Sequence, residues 1–492
     1  MNFLRKPKFL TTIVLLLAIT VQAQDCNCES NYEWVKNTFE KNDAGFQYAV
    51  DRKGKEAYEK HCEQMLLKIK KATTKVECTK LLYEWMTFFR SGHIAIKPKR
   101  SMAGDSDNEP QTKSVSENWE TIAEKKILAF ENKIQSKKEA DYEGIWFTDP
   151  YTIGIQKKGD SYIGFIITTT AETWKRGEIK LRFSEKEGVF YMRDKSEMPF
   201  SEVKLIGKNH LQLGNRFLLK REKPLFEEDH EIKEHFRALQ AKEPYLEALD
   251  DHTLFLRIPS FSASYKKAID SVILKNKDKI QETENLIIDV RNNGGGSDGS
   301  FAEILPLLYT NPIRTVGVEF YSTELNNKRM LDFINDPKYG FDEEDKKWAK
   351  SAYDELEKSR GHFVNLNDDN KVVSIKEFDT VYPYPENVGI IINNGNGSTT
   401  EQFLLAAKQS KKVKLFGTTT LGVLDISNMY FINSPCDEFE LGYCLSRSMR
   451  IPDMTIDEKG IQPDYYIDKS IPDYQWIKFV EESIKQHQSK NE

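Results

Sequence analysis

Beyond its first two dozen residues the sequence has no long apolar run, so no transmembrane helix is expected in the rest of the chain. It also lacks an excess of one charge. The 77 acidic and 71 basic residues are mixed along the chain and leave a formal net charge of -6. That balance argues for neither nucleic acid nor membrane insertion. Cysteine is scarce: Cys26, Cys28, Cys62, Cys78, Cys436 and Cys444 are the whole set. An even set in an oxidising compartment is read as disulfides in preference to zinc ligands or a thiol nucleophile, so neither metal nor cofactor is expected. A disulfide from Cys436 to Cys444 would close a hairpin, and two of the other four would staple the N-terminal helices.

What is present begins with an address. Arg5, Lys6 and Lys8 form a basic start, Phe9 to Val21 an apolar run, and Val21-Gln22-Ala23 a small-residue cleavage site. Residues 1–23 are read as a secretory signal peptide, and the protein as exported, to a periplasm or outside the cell.

The rest divides by its periodicities. Residues 24–100 carry apolar residues at helical steps, such as Leu81, Leu82, Trp85, Phe88 and Phe89, ending at Ser91-Gly92-His93. Residues 101–118 are a polar linker. Residues 119–225 contain one helix and then many short alternating runs, an antiparallel or barrel-like accessory domain. Its Gly144-Ile145-Trp146 is similar to the opening of lipocalin-like barrels. Residues 226–492 alternate strand and helix, an α/β core with a charged helical insertion at about 328–360.

Within that core, Val388 to Lys408 reads as strand, tight turn and helix, with Ser398 at the break. Such a turn presents a hydroxyl at the carboxyl end of a sheet and aims the free N–H groups of the helix start at whatever binds there. Ser-Thr-Thr-Glu, with Glu401 three residues on, also reads as a capping box, and a cap and a nucleophile are compatible at one helix start.

Gly294-Gly295-Gly296-Ser297-Asp298-Gly299 admits two readings. It matches the dinucleotide fingerprint, with Glu319 at the ribose position. Against this, five residues separate the apolar strand from the first glycine, and Asp289 would repel a pyrophosphate. The other reading makes the loop a rigid donor of backbone N–H groups for an oxyanion, with Asp289 and Arg291 fixing it from behind.

LIIDVRNNGGG resembles the Asp-x-Arg-x-Asn-x-Gly-Gly signature of the C-terminal processing (tail-specific) and tricorn-core serine proteases. It is followed, in that family's order, by the strand-turn-Ser-x-x-Glu at Ser398 to Glu401 and by Gly460-Ile461-Gln462-Pro463-Asp464. Ile258-Pro259-Ser260-Phe261 precedes it, and Ser91-Gly92-His93 is similar to the close of the helical segment in the tricorn-like branch. The resemblance implies a multidomain α+β protein: N-terminal helical segment, antiparallel β accessory domain, and C-terminal α/β core of the ClpP/crotonase-like type. It implies a serine-type peptidase with protein or peptide substrates.

Carried over residue by residue, the resemblance makes Ser398 the nucleophile, with Thr399 N–H and Gly295 or Gly296 N–H as oxyanion donors. The tail-specific branch supplies its base from a lysine at the position occupied here by Val423. A valine cannot take a proton, so the base passes to His93, as in the tricorn-like branch. Asp457 and Glu458 are both candidates to orient the imidazole. Two functional classes remain: an exported serine endopeptidase working through an acyl-enzyme, and a non-catalytic relative that binds a peptide or ligand. A dinucleotide-binding enzyme is the remote third.

Overall fold

A computed structural model describes residues 26–99, 119–214 and 216–488. The expected signal peptide and the linker at 101–118 lie outside the described residues. The chain opens with helices Cys28–Asn42, Phe46–Lys53, Lys55–Ile69 and Lys75–Met86. Asn27 caps the first, its Oδ1 accepting from Ser30 N–H at 2.8 Å, and Thr74 caps the fourth through Glu77 N–H. Tyr32, Val35 and Phe39 form one apolar face of the first helix and pack against Leu82, Trp85 and Phe89. The indole of Trp85 stands edge-on to both Tyr32 and Phe39.

These helices do not close a core alone. Their apolar cluster continues into Tyr430, Phe439, Leu441, Tyr443 and Leu445, hundreds of residues downstream. Strand Ala95–Pro98 pairs antiparallel with Phe439–Ser448, Ala95 opposite Gly442. Two disulfides reinforce this union: Cys28 with Cys78 staples the first helix to the fourth, and Cys26 with Cys436 ties the first helix to the distant segment.

The expected Cys436–Cys444 bridge is therefore corrected. Cys444 is a buried free thiol in the middle of strand Phe439–Ser448, opposite Met429, whereas Cys436 sits in the connection before that strand. Five extended residues from Phe439 to Cys444 advance the chain by roughly 17 Å. A disulfide tolerates a Cα separation of only about 7 Å.

The accessory domain is a nine-stranded antiparallel path. It runs as a meander from Gly144–Thr148 to Glu197–Ser201, while Val203–Ile206, His210–Leu213 and Phe217–Lys223 lead back to pair with Gly144–Thr148. The two ends of this path, Glu197–Ser201 and Val203–Ile206, are separated in sequence by Glu202 alone, which takes a positive φ of 73°. The sheet must curl until its ends come together, a barrel-like sheet whose two end strands do not pair with each other. Trp146 is fully buried beneath Arg221, whose guanidinium lies 4.0 Å from the ring centroid and donates to the carbonyls of Glu143 and Lys208.

The C-terminal core is a six-stranded sheet whose order in space is its order in sequence: Tyr245–Ala248, Thr253–Arg257, Asn285–Asp289, Asn387–Ile392, Val413–Gly417 and Tyr465–Tyr466. The first pair is antiparallel and the rest are parallel. A parallel sheet is covered on both faces, which is why Leu286-Ile287-Ile288 and Ile390-Ile391-Ile392 are continuously apolar. Leu286, Ile288, Ile390 and Ile392 meet Phe403 and Leu404 on one face, and Ile287 and Ile391 meet Val480 and Ile484 on the other. The loops after Arg257, Asp289 and Ile392 consequently gather at one end of the sheet, where the candidate site lies. Helices Glu324–Asn335 and Glu343–Lys358 occupy the charged insertion.

Candidate active site

Helix Thr399–Ala407 begins directly after Ser398, whose backbone takes φ 55° and ψ -125°. A side-chain-bearing residue in this region is strained by about 1–3 kcal/mol, and such strain persists only where the surroundings over-determine it. Here Glu401 supplies part of that determination. Its fully buried carboxylate accepts from Ser398 N–H at 3.2 Å, Thr420 Oγ1 at 2.6 Å, Gly422 N–H at 2.7 Å and Val423 N–H at 2.9 Å. Burial raises its pKa, against the opposing pull of those four bonds. Glu401 is thus a cap for the serine and also the anchor of the segment 420–423.

The glycine loop meets the serine from the neighbouring strand. Behind it, Asp289 is buried between two arginines: Arg291 Nη2 donates at 2.8 Å, and Arg257 donates to the carbonyls of Asp289 and Arg291. Burial alone would raise the Asp289 carboxyl, but the guanidiniums of Arg291 and Arg257 hold it below the usual carboxylate range. Asn293 Oδ1 accepts from Phe261 N–H and Gly295 N–H, and Asn293 O accepts from Thr400 Oγ1 at 2.9 Å, so loop, preceding strand and serine helix are tied together.

Gly295, at φ 104°, lies against the serine. A Cβ there would stand 2.8 Å from Gly397 O, 2.9 Å from Ser398 Cβ and 2.9 Å from Thr399 N. The missing side chain therefore leaves open the space in front of Thr399 N–H. Gly295 N–H is committed to Asn293, whereas among the described residues Gly296 N–H and Thr399 N–H donate to no protein acceptor. The loop is followed by the 3-10 turn Asp298–Phe301 and the one-turn helix Leu305–Leu308, short of the long helix that opens at a dinucleotide fingerprint.

His93 approaches from the helical segment. Its Nδ1 lies 2.6 Å from the carbonyl oxygen of Ile426, and a carbonyl only accepts, so Nδ1 carries the proton and Nε2 the lone pair. Burial lowers its pKa, the Ile426 carbonyl opposing and Arg90 adding to the effect, so the ring is neutral at neutral pH. Arg90 forks onto Asp43 at 2.7 and 2.6 Å and donates to His93 O at 2.9 Å, fixing the histidine backbone, which itself has φ 53°.

Val423 joins histidine and serine. A Cβ on Gly92 would fall 2.4 Å from one of its methyls, and a Cβ on Gly397 2.7 Å from the other. The residues immediately before His93 and Ser398 therefore rest on opposite sides of one valine. No hydrogen bond joins the His93 ring to the Ser398 hydroxyl in this structure, and such bonds commonly tighten only in the substrate complex.

Neither candidate acid touches the imidazole. Asp457 accepts from Leu424 N–H, Asp425 N–H and Ile426 N–H at 2.6, 2.6 and 3.1 Å, while Asp425 accepts in return from the N–H groups of Ile456 and Asp457. This reciprocal clasp fixes the very strand whose carbonyl holds His93. Burial, with the charge of Asp425, pushes the Asp457 carboxyl up to about 6, against its backbone hydrogen bonds. Glu458 is turned outward into an ion pair with Arg52, with Lys53 Nζ at 3.9 Å. Ile426 as the Nδ1 partner has no side-chain signature in the sequence; Arg90 has one, a charge at the end of an apolar helical run. Among the described residues no group of three or more His, Cys, Asp or Glu is placed to hold a metal.

The strained serine, the N–H of Thr399 and the glycine loop thus meet at one point of the core. Residues 252–467 match the model of Peptidase family S41. Among solved structures, mature CPAF complexed with lactacystin aligns over 94% of this chain and 97% of its own, with TM-score 0.50 and 12% identity. A mutant of CPAF aligns over 93% and 96%, with the same score and identity. At such identity the likeness is one of fold. Comparison with curated proteins yields no match.

Proposed function

We propose that the chain is an exported serine endopeptidase in which Ser398 is the nucleophile and His93 its base. The contact of Gly295 with Ser398 and Thr399 carries this reading, because it sets the backbone of the glycine loop directly against the serine and the free N–H of Thr399. Nε2 of His93 takes the hydroxyl proton as Ser398 Oγ bonds to the peptide carbonyl carbon, and the N–H groups of Thr399 and Gly296 receive the oxyanion. The imidazolium then protonates the leaving amine, and water, deprotonated by the same ring, hydrolyses the acyl-enzyme. Arg90 and Ile426 position the imidazole, and Asp457 acts at one remove by holding Ile426. Export is supported by two disulfides, which belong to an oxidising compartment.

The second reading, a peptide-binding relative without catalysis, is favoured by one observation: the absence of a hydrogen bond between His93 and Ser398. A fluorophosphonate probe decides between the two. Labelling of folded wild type that disappears in Ser398→Ala is expected. Absence of Ser398-dependent labelling would leave the binding reading.

A further inference from the structure

A cleft of about 960 Å³ lies between the barrel and the peptidase core. One wall is the barrel segment Lys204 to Gly207, the opposite wall includes Phe236 and Leu239, and Asn292 of the glycine loop closes one end. Asn292 is three residues before Gly295, so the cleft borders the start of the glycine loop.

The wall formed by strand Val203–Ile206 is an open sheet edge. This strand pairs only with His210–Leu213 and stands last in the barrel path, with no strand on its other side among the described residues. The direction of its main-chain groups follows from the ladder. Gly214 N–H donates to Glu202 O at 2.8 Å, while Glu202 N–H turns to Lys186 O; with Glu202 C=O facing the ladder, the alternation of antiparallel sheets makes Lys204 with Gln212 and Ile206 with His210 the bonded pairs. Val203 and Leu205 consequently direct their N–H and C=O groups away from the ladder, toward the open side. The bend at Glu202 creates this edge, because it lets one continuous stretch pair with Glu187–Tyr191 before the bend and with His210–Leu213 after it.

The charges along the cleft choose its occupant. Lys204 is paired with Glu202 at 2.5 Å. Arg216 and Lys469, which also line the cleft, form no salt bridge among the described residues: Arg216 touches only Met198 Sδ, at 3.3 Å, and Lys469 acts on Glu202 from longer range. Asp473 is the remaining acid of the lining. Phe217, Leu218, Phe236 and Leu239 supply apolar surface between the charges.

We infer that this cleft binds an extended polypeptide segment of alternating apolar and acidic residues, added as a strand to the free edge of Val203–Ile206 with its acids on Arg216 and Lys469. Main-chain bonds at Val203 and Leu205 give such a site affinity, and the alternate side chains give it selectivity. Calling the segment a substrate rests on the proposed function, whereas its binding does not.

The test uses the full chain carrying Ser398→Ala, so that it is independent of whether the serine reacts. A fluorescein-labelled twelve-residue peptide of alternating valine and glutamate is titrated by anisotropy. Saturable binding is expected, weakened at least about tenfold in R216E/K469E and for the matching valine-lysine peptide. Backbone N-methylation distinguishes strand addition from a diffuse charge effect: methylating either all valines or all glutamates should abolish binding in one set and spare it in the other. Thermal melting of R216E/K469E confirms that the variant is folded. Absence of saturable binding, equal binding by folded R216E/K469E, or equal sensitivity of the two methylated sets would each overturn the inference. Ser398-dependent labelling of wild type, measured separately, reports on the proposed function alone.

Discussion

His93 Nδ1 and the carbonyl oxygen of Ile426, 333 residues apart in sequence, are 2.6 Å apart in the fold. The bond leaves Nε2 as the basic atom, and burial lowers the ring's pKa below its ordinary 6.5. A base works when neutral, so a lowered pKa extends activity toward acid. The rate of fluorophosphonate labelling should rise with pH along an acid limb whose midpoint lies below 6.5 and then level off. A midpoint above 6.5 would contradict the environment assigned to His93.

Asp457 gives a separate pH signature. Its folded pKa of about 6 is above the unfolded value of 3.8, so the folded state binds this proton more tightly. Its contribution to stability is fully present below about pH 4 and is lost as pH rises through 6, by up to about 3 kcal/mol. Asp457→Asn does not ionise. The melting temperature of the variant relative to wild type should therefore be more favourable at pH 7 than at pH 4. A difference independent of pH would show that Asp457 does not titrate as its burial implies.

Gly92→Ala puts a methyl where a Val423 methyl already lies, and overpacking of this kind costs about 1–3 kcal/mol. It should lower the melting temperature and slow labelling of Ser398. Because the clash is with Val423 itself, Gly92→Ala combined with Val423→Ala should recover part of both losses. Strictly additive effects would mean that the valine does not couple histidine to serine.

Gly295→Ala adds a side chain to a residue at φ 104° and places it within 3 Å of Ser398 Cβ and Thr399 N. Loss of an oxyanion donor costs about a hundred- to a thousandfold in rate, and labelling should fall by a comparable factor. A change within threefold would show that the oxyanion space lies elsewhere.

Peptide mapping without reduction should recover Cys26 joined to Cys436 and Cys28 joined to Cys78, with Cys62 and Cys444 as thiols. Burial pushes the Cys444 thiol up to about 12, so it should resist a maleimide until the protein is unfolded. A Cys436–Cys444 peptide pair would refute this pairing.

Local pattern carried much of the architecture. The apolar run ending at Ile392 and the helical spacing of Phe403, Leu404 and Ala407 are short-range periodicities, and a strand, turn and helix lie there. The regular short runs between Tyr142 and Lys220 likewise form the barrel strands. What the sequence did not disclose are relationships between distant positions. Cys26 finds Cys436, and the faces of the first helices find strand Phe439–Ser448, because neither partner can bury its apolar surface alone. The partner of His93 is not an acid but a main-chain carbonyl, a group every residue possesses. The local pattern marks Glu401 as a cap, whereas its wider role in holding 420–423 depends on a loop that packs against it only in the fold.

The Cys26–Cys436 bond has one more consequence. It closes residues 26–436 into a covalent ring that contains both His93 and Ser398. A single cut of the backbone anywhere between Cys28 and Pro435 would open the ring without separating its pieces. The fragment bearing the histidine and the fragment bearing the serine would remain one molecule, joined through the disulfide.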